Sequence, residues 1–308
     1  MQKTITKITQ YIDVAKSRVT RPWHRITVFG GDMGSRPEGG SLSQRGDFIN
    51  YVAIYHPKYN PTLITPETYK DWNHYDVYQD LLSFEEDLCA FVDVIIIFLE
   101  GVGAVGEFGA FLKTHDTSKK LIIVIHEDYW EENSFIRLGL VLNLENRYKN
   151  ATFSVPGTLG KEDVFQIIEE VELRLSKQPK TEALDLANTR HILLTIADFV
   201  ELIQVARLTD ISNFLEALGA TLSLKRLHQL MFVLERLEVL KFRRSGNESF
   251  YTFLHTGESY VEYSLIDKRL ERARIKSQLF EQTVADRRRK AAYERFKVPN
   301  IGVEKNVA

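Results

Sequence analysis

The chain has 308 residues, long enough for two domains, and its 44% hydrophobic and 27% charged residues are typical of a globular protein. Its net charge of −2 does not by itself favour any class of partner, and its single cysteine, Cys89, excludes a disulfide framework or a cysteine-rich metal site. With no apolar N-terminal segment to serve as a signal peptide or membrane span, we expect a cytoplasmic protein with neither a metal nor a membrane partner.

The first part of the chain alternates predicted helices and strands. Residues 1–25 are expected to form a helix and its exit, since Ile5 and Ile8 begin an apolar repeat at helical spacing. Strands are predicted at 26–29, 94–99, 121–125 and 151–155, and helices at 78–89, 107–115, 134–144 and 164–175. This alternation indicates a doubly wound parallel sheet in a first domain at 1–176, with ligands at the carboxyl ends of the strands.

A glycine-rich segment, residues 30–40, follows the predicted strand that ends at Phe29. Backbone N–H groups, a hydroxyl and a guanidinium there are suited to hold a phosphate or ribose. The predicted substrate-binding residues of this segment are Gly30, Gly31, Asp32, Ser35 and Arg36. The alternative is a flexible surface loop, because glycine clusters are also common turn signals.

A second glycine-rich segment follows the strand at 94–99, and Gly101, Gly103 and Gly106 match the G-x-G-x-x-G pattern of dinucleotide-binding turns. We expect a different chemistry, because Glu100 and Glu107 bracket the turn where a pyrophosphate would need positive potential. Carboxylates beside a ribose suit cleavage of an N-glycosidic bond, whose transition state resembles an oxocarbenium ion. The pattern changes to helix after Glu107. The other interpretation is therefore that Glu107 is only a helix N-terminal acid, favoured there by the helix dipole.

The segment from Glu100 to Phe111 resembles the active-site turn of the nucleoside 2-deoxyribosyltransferase family, whose members carry a glycine-rich turn, a catalytic Glu and a small-residue helix. The resemblance implies a nucleophile at Glu107 and a second catalytic acid at Asp93. A further Asp of the family falls on Gly101, and Glu100 beside it is the partial replacement. The predicted catalytic residues are therefore Glu107, Asp93 and Glu100. The predicted substrate-binding residues on this edge are Gly101, Gly103, Gly106, His126 and Ser134.

Helices dominate after a polar linker predicted at 177–188. They are expected at 189–205, 209–218 and 223–240, followed by a β-hairpin with its turn at 245–248. Three helices and a hairpin follow the order of a winged helix-turn-helix domain, assigned to 189–258. Its predicted nucleic-acid-binding residues are Lys225, Arg226, Lys241, Arg243 and Arg244.

The last region, 259–308, is predicted to be a basic helical tail. Between Glu262 and Lys297 it holds 11 Lys or Arg and 6 Asp or Glu residues. Such a patch is an electrostatic footprint for nucleic acid, although a solvated helix face has the same composition. The densest cluster, also predicted to bind nucleic acid, is Arg287, Arg288, Arg289 and Lys290.

The combination of these regions is similar in architecture to the effector (toxin) proteins of bacterial retrons. This resemblance implies an anti-phage effector that hydrolyses the N-glycosidic bond of a nucleotide, with NAD as the expected substrate and no cofactor. Its partners would be the retron reverse transcriptase and its multicopy single-stranded DNA (msDNA), in a homo-oligomer or a higher-order complex. Two alternatives stay open: a nucleotide-sensing winged-helix DNA-binding regulator without turnover, and a phosphoribohydrolase of the cytokinin-activating type.

Overall fold

The computed structural model describes residues 1–21, 24–34, 41–66, 69, 77–130, 133–245, 247–254, 259–267 and 269–297. The chain divides into two compact units. The α/β unit is Trp23–Pro179, and the second unit joins Met1–Pro22 to Lys180–Ala308. The N-terminal residues therefore group with the second unit. The sequence had instead suggested that they belong to a first domain at 1–176.

The N-terminal segment consists of helix α1 (Gln2–Thr9) and strand β1 (Ile12–Thr20). The prediction of a helix up to residue 25 is therefore wrong beyond α1. Residues 12–20 form a strand because they pair with Thr181–Ala183 on one side and Val261–Leu265 on the other. These partners are far away in sequence, so local periodicity does not reveal them.

The α/β unit is built on a parallel sheet. Its strands are β2 (Ile26–Phe29), β3 (Leu63–Ile64), β4 (Val94–Phe98), β5 (Leu121–His126) and β6 (Thr152–Val155). Within the described residues they pair in the order β3-β2-β4-β5-β6, and every pairing is parallel. The predicted α/β class with a parallel sheet is confirmed. Strand β3 was missed because two residues carry no periodic signal.

Helices cover both faces of this sheet. They are α2 (Gln44–Tyr55), α3 (Leu81–Phe91), α4 (Val102–Lys113), α5 (His115–Ser118), α6 (Glu127–Trp130), α7 (Leu142–Arg147), which continues a π-helical stretch at Ile136–Val141, and α8 (Lys161–Lys177). On one face, Ile96 packs in a cluster with Phe48 of α2 and Ile167 of α8. On the other face, Phe29 meets Phe111 of α4 with ring centroids 5.4 Å apart.

Counted in chain order, the strands of this sheet lie in the spatial order 2-1-3-4-5, as in flavodoxin-like folds. The chain leaves β2 for α2 on one face and leaves β4 for α4 on the other. Ligands of such sheets bind where neighbouring strands send their connections to opposite faces. That point lies between the carboxyl ends of β2 and β4.

The second unit also contains the elements that follow the α/β unit in the chain. They are β7 (Thr181–Ala183), α9 (Thr189–Ile203), α10 (Leu208–Ala217), α11 (Leu224–Arg236), the hairpin β8 (Leu240–Ser245) and β9 (Glu248–Phe253), β10 (Val261–Leu265), α12 (Arg272–Ala285) and α13 (Arg287–Lys297). The predicted succession of three helices and a hairpin is confirmed. The predicted linker contains β7 and the predicted tail begins with β10, because both strands flank β1. No helix in the described part of the chain has the length and apolarity needed to span a membrane.

Candidate functional site

The glycine-rich segment after β4 is a helix start and not an extended turn. Helix α4 begins at Val102, so Gly103 and Gly106 lie inside it and Glu107 stands in its second turn. The expectation that Glu107 marks the helix entrance is therefore wrong. Glycine costs about 1 kcal/mol relative to alanine inside a helix. Burial of Phe108 and Phe111 against the sheet overrides that preference.

Glu100 holds the loop after β2 against the start of α2. Its carboxylate accepts hydrogen bonds from the N–H groups of Gly31 at 3.0 Å and Arg45 at 3.2 Å, and also from the N–H of Gln44. The N-terminus of α2 favours negative charge because its first N–H groups lack helical partners. Glu100 thus occupies the crevice between β2 and β4 as a carboxylate that fixes the surrounding backbone.

The glycines after β2 allow the loop backbone to come close to Glu100 and to the start of α2. Gly30 has a φ of +151°, and a Cβ there would lie 2.9 Å from the Cβ of Phe98. A Cβ on Gly31 would lie 2.8 Å from the Cβ of Ser43. Both glycines therefore serve loop packing around Glu100, whereas the sequence suggested ligand approach.

The other predicted residues of this loop are Asp32, Ser35 and Arg36. Asp32 accepts a hydrogen bond from the Gly34 N–H at 2.9 Å, which is a local turn contact. Ser35 and Arg36 lie outside the described residues. Ser43, which the sequence analysis did not single out, caps α2 by accepting from the Gly46 N–H at 3.0 Å. Serine is a preferred N-cap residue, and its place directly before residues 44–55 is the sequence signal that could have identified this cap.

A cleft of about 320 Å³ opens at the carboxyl edge of the sheet. Its lining residues are Leu99, Glu100, Gly101, Val102, Val105, Ile125, Tyr129, Ser134 and Ile136. The structure thus brings together three predicted residues from two segments, the neighbours Glu100 and Gly101 after β4 and Ser134 after β5. The Ser134 Oγ accepts a hydrogen bond from the Arg137 N–H at 3.2 Å, which caps the helical segment that follows. Sequence reasoning missed the six other lining residues, which are Leu99, Val102, Val105, Ile125, Tyr129 and Ile136.

Glu107 lies on another flank of α4. Val105 lines the cleft, and two residues further along an α-helix the side chain direction has turned by about 200°. Burial raises the pKa of the Cys89 thiol on α3 well above its ordinary value, and the nearby negative charge of Glu107 adds to that rise. Glu107 is half-buried. Gly103, four residues before it on the same flank, would meet nothing within 4 Å of an added Cβ.

His126 ends β5 and is held by the turn that follows. Its Nδ1 accepts a hydrogen bond from the Asp128 N–H at 3.1 Å, so the neutral ring carries its proton on Nε2. A Cβ on Gly157 would lie 3.1 Å from that Nε2. His126 is absent from the cleft lining described above. Within the described residues, no group of three or more His, Cys, Asp and Glu side chains is arranged to hold a metal ion.

Asp93 lies at the opposite end of β4 from Glu100, so the structure does not bring this predicted catalytic residue to the cleft. It precedes β4, whereas Glu100 follows that strand. Seven residues of extended chain separate the two backbones by about 20 Å. Asp93 is buried and accepts a hydrogen bond from the Arg25 N–H at 3.0 Å, which ties β4 to the start of β2.

Two arginines of the basic cluster at the start of α13 form ion pairs with acidic residues of the same unit. Arg289 is buried and pairs with Asp210 of α10 through both of its terminal nitrogens. Arg288 pairs with Glu248 at the start of β9. The prediction of a solvent-facing cluster is therefore wrong for Arg289. Arg287 and Lys290 are exposed.

The predicted basic residues of α11 and the hairpin are also in mixed environments. Lys225 and Arg244 are exposed and Lys241 is half-buried. The Arg226 guanidinium lies 3.5 Å from the Thr189 Oγ1. Arg243 donates to the Arg295 carbonyl of α13 at 2.7 Å, so one face of the hairpin is covered by that helix.

Comparison with known proteins gives a consistent assignment. The family model described as STM3845 retron effector protein matches residues 41–242, which is more than half of the chain. Two Escherichia coli proteins, from retron Ec73 and retron Ec86, each bear the name "putative ribosyltransferase/DNA-binding protein". The first is 43% identical over 60 residues, 20% of this chain and 19% of that protein. The second is 32% identical over 120 residues, 38% of this chain and 36% of that protein. The matches therefore span about a fifth and about a third of these relatives. On the family match, the chain belongs to the STM3845 family of retron effector proteins.

Proposed function

We propose that the α/β unit cleaves the N-glycosidic bond of a nucleotide, with Glu107 as the principal carboxylate and NAD as the first substrate to test. The observation that carries this proposal is the open strip of α4 beside Glu107. Gly103 and Gly106 have nothing within 4 Å of an added Cβ, so a ribose can come close to the helix backbone there. The names of the two retron relatives support ribosyl chemistry.

The arrangement supports different roles for the two carboxylates near α4, Glu100 and Glu107. Glu100 is fully engaged by backbone N–H groups, so its role is to position the loop after β2. Glu107 is the carboxylate suited to stabilise the positive charge that develops on the ribose or to trap it covalently. Water then completes hydrolysis, or an acceptor base completes transfer.

The test compares Glu107→Gln with Glu127→Gln, a matched control at an exposed carboxylate after β5. Both proteins are incubated with NAD and with nucleoside monophosphates, and the released base is identified by chromatography. Glu107→Gln is expected to abolish base release with an unchanged thermal unfolding midpoint, while Glu127→Gln retains activity. Wild-type turnover in the Glu107→Gln protein would overturn the assignment.

The second unit is proposed to act as a winged-helix module that joins the effector to a reverse transcriptase and its msDNA. The succession of α9, α10, α11 and the β8-β9 hairpin supports this, as does the DNA-binding part of the relatives' names. The rival function is a DNA-binding regulator that senses a nucleotide without turnover. It predicts nucleotide binding with no released base and a preference for double-stranded DNA.

A further inference from the structure

The second unit contains a basic cavity that the proposed function does not use. The cavity measures about 270 Å³ and lies among α1, the segment after β10 and the start of α12. Its lining residues are Lys7, Ile8, Tyr11, Asp267, Arg269, Leu270, Arg274 and Gln278. We call it the α1–α12 cavity.

Positive charge is in excess in the α1–α12 cavity. Asp267 is the one carboxylate of its lining, against three cations. Arg269 already engages both oxygens of Asp267, at 3.1 Å each. Among the described residues, no hydrogen bond or ion pair joins the Lys7 ammonium or the Arg274 guanidinium to a carboxylate. Two cationic groups therefore line the cavity without an ion pair among the described residues.

The start of α12 increases this excess. Its first turn holds Arg272 and Arg274 and no acidic residue, and Glu271 at the N-cap makes no side-chain capping bond. Cations are unfavourable there because the N-terminus of a helix is already the positive end of its dipole. Arg272 is compensated by Asp198 at 2.8 Å and also pairs with Glu201. Arg274 has no such pair among the described residues. An anion in the cavity would therefore offset its positive charge at the start of α12.

We propose that the α1–α12 cavity binds a nucleotide, with its phosphate between Lys7 and Arg274 and its base against Tyr11. Ammonium and guanidinium groups bind phosphate through charge-assisted hydrogen bonds. The Tyr11 side chain is partly exposed at the rim, where an aromatic ring can stack on a base. A free mononucleotide and one residue of a single-stranded nucleic acid offer the same chemistry. This site is independent of the glycosidic cleavage proposed for the α/β unit.

The test removes these two charges together, in the full chain. The variant is Lys7→Ala with Arg274→Ala, and both side chains are exposed. The matched control is Lys3→Ala with Lys180→Ala, which removes two exposed charges of the same unit that do not line the cavity. Titration calorimetry at low ionic strength measures the affinity for AMP and for a single-stranded thymidine oligonucleotide. Circular dichroism verifies that all variants are folded.

The cavity variant is expected to bind at least one probe about tenfold or more weakly than the control, since two charge-assisted contacts are lost. Weakening of AMP binding identifies a free nucleotide as ligand, and weakening of oligonucleotide binding alone identifies a strand. Tyr11→Phe should retain the affinity that Tyr11→Ala loses, because only the ring is required. Equal affinities of the cavity variant and the control for both probes would overturn the proposal, as would a wild-type protein that binds neither.

Discussion

Arg289 should be a stability determinant and not a nucleic-acid contact. Its side chain is 3% exposed and that of Asp210 is 5% exposed. Arg289→Met keeps much of the side-chain volume but leaves the Asp210 carboxylate with the Arg207 N–H as its remaining described partner. Removing one partner of a buried ion pair costs about 3–5 kcal/mol. Since domains are stable by about 5–15 kcal/mol, this change should remove a large share of the second unit's stability.

The chain offers an internal control for this measurement. Its three tryptophans, Trp23, Trp72 and Trp130, all fall within the residue range of the α/β unit, 23–179. Tryptophan fluorescence in a urea titration therefore reports that unit alone, while far-ultraviolet circular dichroism reports both. Arg289→Met should shift the circular dichroism transition to lower urea and leave the fluorescence transition in place.

Two further variants test the role of the Arg289–Asp210 pair. Arg288→Met removes a neighbour whose side chain is 73% exposed, and it should cost less than about 1 kcal/mol. Adding Asp210→Asn to Arg289→Met should recover part of the loss, because the unpaired charge is removed. A cost for Arg289→Met below that of Arg288→Met would refute the argument. Nucleic-acid binding by α13 is better tested with Arg287→Ala and Lys290→Ala together.

Two further predictions follow from the hydrogen-bonded carboxylate and imidazole groups. Glu100→Ala should lower the unfolding free energy of the α/β unit by about 1–2 kcal/mol, because its three backbone partners, including the Gly31 N–H, lose their acceptor; an unshifted fluorescence transition would contradict this role. Burial holds the pKa of His191 below its ordinary value of 6.5 although its Nε2 lies 3.3 Å from Glu182. The unfolded chain then binds the proton first, so stability is present above pH 6.5 and falls as the pH drops below it, by at most about 1.4 kcal/mol per pH unit. His191→Gln should flatten that part of the stability–pH curve, and an identical curve would exclude His191 as its source.

The sequence by itself determined much of the α/β unit. The runs at 26–29, 94–99 and 121–125 are strongly β-branched and apolar, and each became a strand buried on both sides. The succession of three helices and a hairpin followed from helical spacing and from local signals such as Ser223 at the N-cap of α11 and Gly219 after α10. These elements were predictable because their signals lie within the elements themselves.

Tertiary structure decided the rest, because it depends on contacts between distant segments. Residues 12–20 are a strand only through pairing with β7 and β10. Glu100 became a loop-fixing carboxylate because the start of α2 meets the end of β4, and Arg289 became an internal residue because α13 packs on α10 and the hairpin. A residue type and its spacing state what a side chain can do. Whether that side chain faces solvent, a ligand or an internal partner is fixed by packing between distant parts of the chain.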